Sequence, residues 1–118
     1  MVSSGNRPTV APVENPQLVA NLKQVRWDYE ALVDFCERHP IAKLSLFGSV
    51  LRDDFGEESD VDFLLELQPG AKIGFFELVG MEIELTDMLG RKADLRTPQE
   101  LSRYFRQEVL DEALLQYS

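Results

Sequence analysis

The chain has 118 residues, 44% of them hydrophobic, and a formal net charge of −9. That length holds one domain with a real core. The charge argues against nucleic-acid binding through a broad basic surface and suits a basic protein partner or a site that recruits cations. In chain order, residues 1–16 (MVSSGNRPTVAPVENP) carry three prolines and no apolar period, so a flexible tail is expected, with one domain over residues 17–118. A helix is predicted from near Asn15 or Pro16, because Leu18, Leu22, Val25, Tyr29, Leu32 and Cys36 recur at alternating four- and three-residue steps. His39-Pro40 ends it, since the residue before a proline resists the α region.

Ile41 to Phe47 (IAKLSLF) alternates and predicts a strand. Gly48-Ser49 breaks it, and a short helical turn is expected through Arg52. Asp53 to Ser59 is a polar loop, and Asp60 to Leu67 (DVDFLLEL) is a second strand closed by Pro69-Gly70. A long helix follows from about Gly74 to Leu89, with Phe75, Leu78, Val79, Glu82, Leu85 and Leu89 near one face and Gly90 placed to terminate it. Arg91 to Arg96 (RKADLR) is a third strand. Thr97-Pro98 with Glu100 has capping-box spacing for a further helix, and Val109, Leu110, Ala113, Leu114 and Tyr117 stripe a final one. The expected class is α/β (α+β), a small mixed sheet of about three to four strands flanked by helices.

The chemistry sits between Gly48 and Glu66 (GSVLRDDFGEESDVDFLLE). Asp60 and Asp62 are two apart on a strand, so both point to one face, roughly 6.6–7 Å apart. Two carboxylates beside Val61, Phe63, Leu64 and Leu65 are costly without a cation, and hard oxygen ligands of this kind suit Mg²⁺ with substrate phosphates. An exposed strand end with two solvated acids is the alternative. Gly48 lets the backbone approach a phosphate closely, and the N–H groups and Ser49 hydroxyl of the turn could grip anionic oxygens. A plain turn with Ser49 as N-cap remains open at this point. Arg52 could reach the same phosphates or pair with Asp53 or Glu57. Asp94, an acid between Ala93 and Leu95, is the candidate third carboxylate, unless it is an edge acid facing water.

Gly48-Ser49, ten intervening residues and Asp60-x-Asp62 resemble the signature of the DNA polymerase β-like nucleotidyltransferase superfamily. CERHPIAKLSLFGSVLRDDF, SDVDFLLEL, MLGRKADLRTP and YFRQEVLDEAL look like minimal nucleotidyltransferases, the antitoxin partners of HEPN-domain toxins in prokaryotic toxin–antitoxin pairs. The resemblance runs from about Ala31 to Tyr117. It implies a polymerase β-like nucleotidyltransferase fold, with Gly48 and Ser49 on the phosphates of ATP and Arg52 making a further phosphate contact. It implies Asp60 and Asp62 on bridging Mg²⁺. Asp94 would hold a second Mg²⁺ and help to deprotonate the attacking hydroxyl. The implied activity is transfer of AMP to a tyrosine of a HEPN ribonuclease toxin, which silences it. A chain that neutralises the toxin by docking alone is the competing expectation. A stand-alone transferase acting on a small molecule is a third, disfavoured by the short chain.

Other residues carry bland expectations. Cys36, the single cysteine, excludes an intrachain disulfide or a CxxC site and should be a buried structural thiol. His39, the sole histidine, should be a helix C-terminal partner rather than a base. Trp27 should touch a partner or the tail, and Glu77, Glu82 and Glu84 should form a solvated or partner-facing helix side. No leader and no apolar run of membrane-spanning length is read, so neither membrane nor direct nucleic-acid contact is expected, and the expected location is the cytoplasm.

Overall fold

The fold is seen in a computed structural model, which describes residues 21–26 and 28–118. The expectations for residues 1–20 and for Trp27 lie outside the described residues. Among the described residues, the complete elements are three α-helices, two 3₁₀ turns and four strands, in the order α1 (Tyr29–Arg38), β1 (Ile41–Phe47), a turn at Gly48–Leu51, β2 (Val61–Leu67), α2 (Phe75–Leu89), β3 (Ala93–Arg96), a turn at Pro98–Glu100, α3 (Arg106–Glu112) and β4 (Leu114–Tyr117). The strands form one mixed sheet in the order β3-β2-β1-β4. β1 is antiparallel to both β2 and β4, and β2 runs parallel to β3.

Alternation along the strands divides the sheet into two faces. Leu44, Leu46, Val61, Phe63, Leu65, Ala93 and Leu95 join one core with Leu32, Phe35 and Cys36 of α1 and Met81 and Leu85 of α2. The intervening residues Asp62 and Asp94 therefore stand on the opposite face. The helix pair is clamped at its rim: Arg38 reaches Asp34 at 2.7 Å and also pairs with Glu84 of α2, while His39 Nε2 lies 3.3 Å from the other Glu84 oxygen. The Arg38 hydrogen bond is the main cause holding the Glu84 carboxyl below its usual range.

Several elements differ from the sequence reading. The first predicted helix is broken before α1. Gln24 and Val25 donate to the carbonyls of Asn21 and Leu22 in a tight turn, and Asp28 caps a new helix, its carboxylate accepting from Glu30 N at 3.0 Å and Ala31 N at 3.3 Å. Val25 stays in the core, so the apolar spacing runs on through a break it cannot reveal. Thr97 does form its capping box with Glu100, but that turn ends at Glu100. The last predicted helix stops at Glu112, and Leu114–Tyr117 pair with β1 instead. Phe75, expected on the apolar face of α2, is 73% exposed, and Met81 takes the core position. Glu82 and Glu84 are not a free acidic side: Glu84 holds α1, and Glu82 accepts Leu95 N–H at 2.7 Å. Cys36 is buried as expected. Burial first, then the Glu37 charge, pushes its thiol up to about 12. Among the described residues no helix is long and apolar enough to cross a membrane.

Candidate functional site

The site begins where β1 ends. Gly48 has φ +74°, a left-handed conformation that favours glycine, and a Cβ there would lie 2.5 Å from Asp62 Oδ2. The backbone thus comes as near to the carboxylate as a side-chain-free residue allows. Ser49 then ties the turn to β2 and to the residue just before it. Its N–H points at Asp62 Oδ2 across 3.4 Å, and its hydroxyl donates to the Asp60 carbonyl at 3.0 Å. Ser49 is not the cap of the turn: that position is Phe47, with no side-chain cap bond.

Sheet register brings the acids together. Phe47 of β1 and Asp94 of β3 both lie opposite Asp62 of β2, one on each side. Asp60 immediately precedes β2. Burial is the largest cause raising the Asp62 carboxyl above its usual range; the Ser49 N–H pulls it down, the charges of Asp94 and Asp60 push it up, and Arg96 lowers it. The outer acids have cationic neighbours. Lys92 Nζ lies 3.9 Å from Asp60 Oδ2, and Arg96 Nη2 lies 3.2 Å from Asp94 Oδ2 while its other nitrogen lies 3.9 Å from Glu100. These pairs are solvent-exposed, with Asp60 at 49% and Asp94 at 30% side-chain exposure, so each contributes at most about 1 kcal/mol.

Two further residues shape the loops and went unnoticed in the sequence. Asn21, fully buried, donates to the carbonyls of Val50 (2.9 Å) and Arg52 (2.7 Å), which fixes the turn after Gly48. Arg91 donates to the carbonyls of Gly56 and of Ser59, the latter at 2.8 Å, and lies 4.6 Å over the Phe55 ring. It therefore holds the loop that leads into Asp60. A basic residue just before a strand carrying a site acid was the available signal. Arg52 is exposed. It lines a hollow of about 330 Å³ with Phe47, Gly48, Leu51, Val109 and Glu112. A larger hollow of about 800 Å³ lies at the far end of β2, between residues 65–75 and 97–100. The carboxylates and the glycine, not the volume, mark the site.

The donor set fits a divalent cation in kind: aspartate oxygens, one of them desolvated and repelled by two others. In this arrangement no three acidic, histidine or cysteine side chains among the described residues are gathered closely enough to hold an ion. A site of three protein carboxylates would therefore need these side chains closer together than they stand, whereas one or two carboxylates with substrate phosphates would suffice for Mg²⁺.

Residues 15–115 match the model of the nucleotidyltransferase domain family. The chain is 31% identical over 77 residues to a Methanocaldococcus jannaschii protein assigned by inference as a protein adenylyltransferase, covering 65% of this chain and 81% of that one. A second such protein of that organism is 29% identical over 79 residues, covering 67% and 79%. A solved minimal nucleotidyltransferase, likewise assigned by inference, superposes with a TM-score of 0.59 at 25% identity over 86% of this chain and 97% of its own. A chain from a crystal structure of a toxin–antitoxin with AMP-PNP gives the same TM-score of 0.59 at 16% identity, over 73% and 69%, a likeness of fold alone. The match over most of the chain leads to one conclusion: the chain belongs to the nucleotidyltransferase domain family and is a nucleotidyltransferase.

Proposed function

We propose that this chain transfers AMP from ATP to a hydroxyl of a partner protein, and that the partner is a HEPN-domain ribonuclease toxin modified on tyrosine. The observation that carries the chemistry is the row of Asp60, Asp62 and Asp94 beside Gly48, with Asp62 desolvated and repelled by the other two. In this reading Asp60, Asp62 and Asp94 would hold two Mg²⁺ ions. Bound there, magnesium supplies charge stabilisation to the attacking and leaving oxygens of an in-line displacement. The chain itself positions: Gly48 admits the phosphates close to the backbone, Ser49 fixes β2 against the turn, and Arg52 offers a cation from the adjoining hollow. Asp94 accepts the proton of the attacking tyrosine hydroxyl. That oxygen bonds to the α-phosphorus as the bond to pyrophosphate breaks.

The relatives assigned as protein adenylyltransferases support a protein acceptor. The toxin–antitoxin neighbour with AMP-PNP, an ATP analogue, supports a toxin as that acceptor. The net charge of −9 suits a partner that binds RNA through basic residues. A second reading has one observation in its favour. Lys92 and Arg96 already pair with Asp60 and Asp94, and acids matched in that way suit an antitoxin that neutralises by docking alone. The two separate when the purified toxin is incubated with this chain, ATP and Mg²⁺. Catalysis predicts that the toxin gains the mass of AMP and that Asp60→Asn slows this by about 100-fold or more, the loss of several kcal/mol of charge stabilisation. Neutralisation of equal strength without ATP and Mg²⁺, with no mass gain, overturns the proposal in favour of docking.

A further inference from the structure

β3 is the edge of the sheet beyond β2, and an edge strand leaves alternate N–H groups without a ladder partner. Val61 N–H donates to the Lys92 carbonyl at 2.9 Å, which places that peptide unit toward β2 and, by alternation, the amides of Ala93 and Leu95 on the outer side. Both are taken by side chains of α2. Thr86 Oγ1 accepts from Ala93 N at 3.0 Å, and Glu82 Oε2 accepts from Leu95 N at 2.7 Å. The spacing matches for a geometric reason. Four residues of helix rise about 6 Å, and two residues of strand advance roughly 6.6 Å, so an i, i+4 pair on an antiparallel helix meets an i, i+2 pair of amides. Glu82 is otherwise an acid on an apolar helix face, between the core positions Met81 and Leu85. A carboxylate there is costly unless it has a fixed donor, and Leu95 N–H is that donor.

Asp94 lies between the two clamped amides and opposite Asp62. We propose that Glu82 and Thr86 are positioning residues: α2 acts as a side-chain strand that fixes β3 in register and so holds the Asp94 carboxylate beside Asp62 for metal and nucleotide. The proposal rests on the reading of the acids as the metal site. The clamp also closes the outer edge of the sheet to pairing with another chain.

The test uses the full chain in three forms. Glu82→Leu removes the acceptor while suiting the apolar face, Thr86→Val is isosteric without the acceptor, and Glu82→Gln keeps a carbonyl acceptor. Amide hydrogen exchange reads the strand without reference to any activity. Leu95 should exchange faster in Glu82→Leu, and Ala93 in Thr86→Val, by roughly three- to tenfold, the loss of one net hydrogen bond. Mn²⁺ binding to the free chain reads the site: half-saturation should rise by about tenfold in Glu82→Leu, with Glu82→Gln close to wild type. Melting curves check that each variant is folded. Unchanged exchange at Leu95 in Glu82→Leu, or a Gln variant as deficient as the Leu variant, overturns the proposal. Wild-type protein that binds no Mn²⁺ sinks the metal-site reading instead, while amide exchange still decides whether α2 clamps β3.

Discussion

The two faces of this sheet are built on opposite physical terms. On the helix-covered face, Val61, Phe63, Leu65, Ala93 and Leu95 are almost wholly removed from water against α1 and α2, and every contact there favours folding. On the other face the intervening residues Asp62 and Asp94 stand side by side, with Asp60 close enough to add its charge. That arrangement opposes folding, because burial and like charge both disfavour ionised Asp62. One strand does both jobs by alternation. The packed face thus supplies the stability that holds Asp62 beside two like charges.

The contrast breaks most severely from the packed side. Phe63→Ala should cost about 3–5 kcal/mol of stability, since the fully buried ring leaves a cavity; urea melts read this, and a loss below 1 kcal/mol would show that the face is not a rigid support. Gly48→Ala should cost less, about 1–2 kcal/mol, from its left-handed φ. Its methyl would also displace the Asp62 carboxylate, so nucleotide transfer should fall further than stability does, and equal effects on both would argue against the close approach.

The acid face gives a smaller effect of opposite sign. The folded-state pKa of Asp62 is raised, so folding favours its protonated form. Wild-type stability should therefore fall as pH rises through and above the ordinary aspartate range, relative to Asp62→Asn. Below that range both states are protonated and the two proteins should differ least. Denaturant melts from acid to neutral pH measure the gap, and a gap that narrows as pH rises contradicts the account. The smallest effect concerns Cys36. With its thiol pushed up to about 12 and its side chain in the core, it should not react with a thiol reagent at pH 8 until the protein unfolds. Rapid labelling of folded protein would show the α1 side of the core to be loose.

Much of the site was legible because its signals are local. Gly48-Ser49 marks a turn by its own chemistry, strand period puts Asp62 on the face opposite Val61 and Phe63 although Asp60 falls just outside the strand it was expected to open, and Gly90 and the Thr97-Pro98-Glu100 turn end and begin elements through side-chain and backbone preferences. What escaped depends on distant partners. Leu114–Tyr117 continues the helical stripe from Val109, yet it pairs with β1 some 70 residues earlier; tertiary pairing overrides local pattern there. Asp28 starts a new helix inside an unbroken apolar spacing. Glu82 on an apolar face was visible as an oddity, but the Leu95 amide that explains it comes from another element. Asn21 and Arg91 act on carbonyls about 30 residues away, and no periodicity encodes such a bond.

In the proposed function the open face keeps negative charge, only partly matched by Lys92 and Arg96, for a nucleotide carried with a cation. Melting temperatures of wild type and Asp62→Asn at pH 7, each with and without Mg²⁺ and a non-hydrolysable ATP analogue, test it most directly. The account predicts a crossing. Without ligand the Asn variant melts higher; with ligand at about 100 times its Kd the wild type gains about 2.7 kcal/mol and overtakes a variant that barely moves. Two proteins that melt alike and respond alike would contradict it.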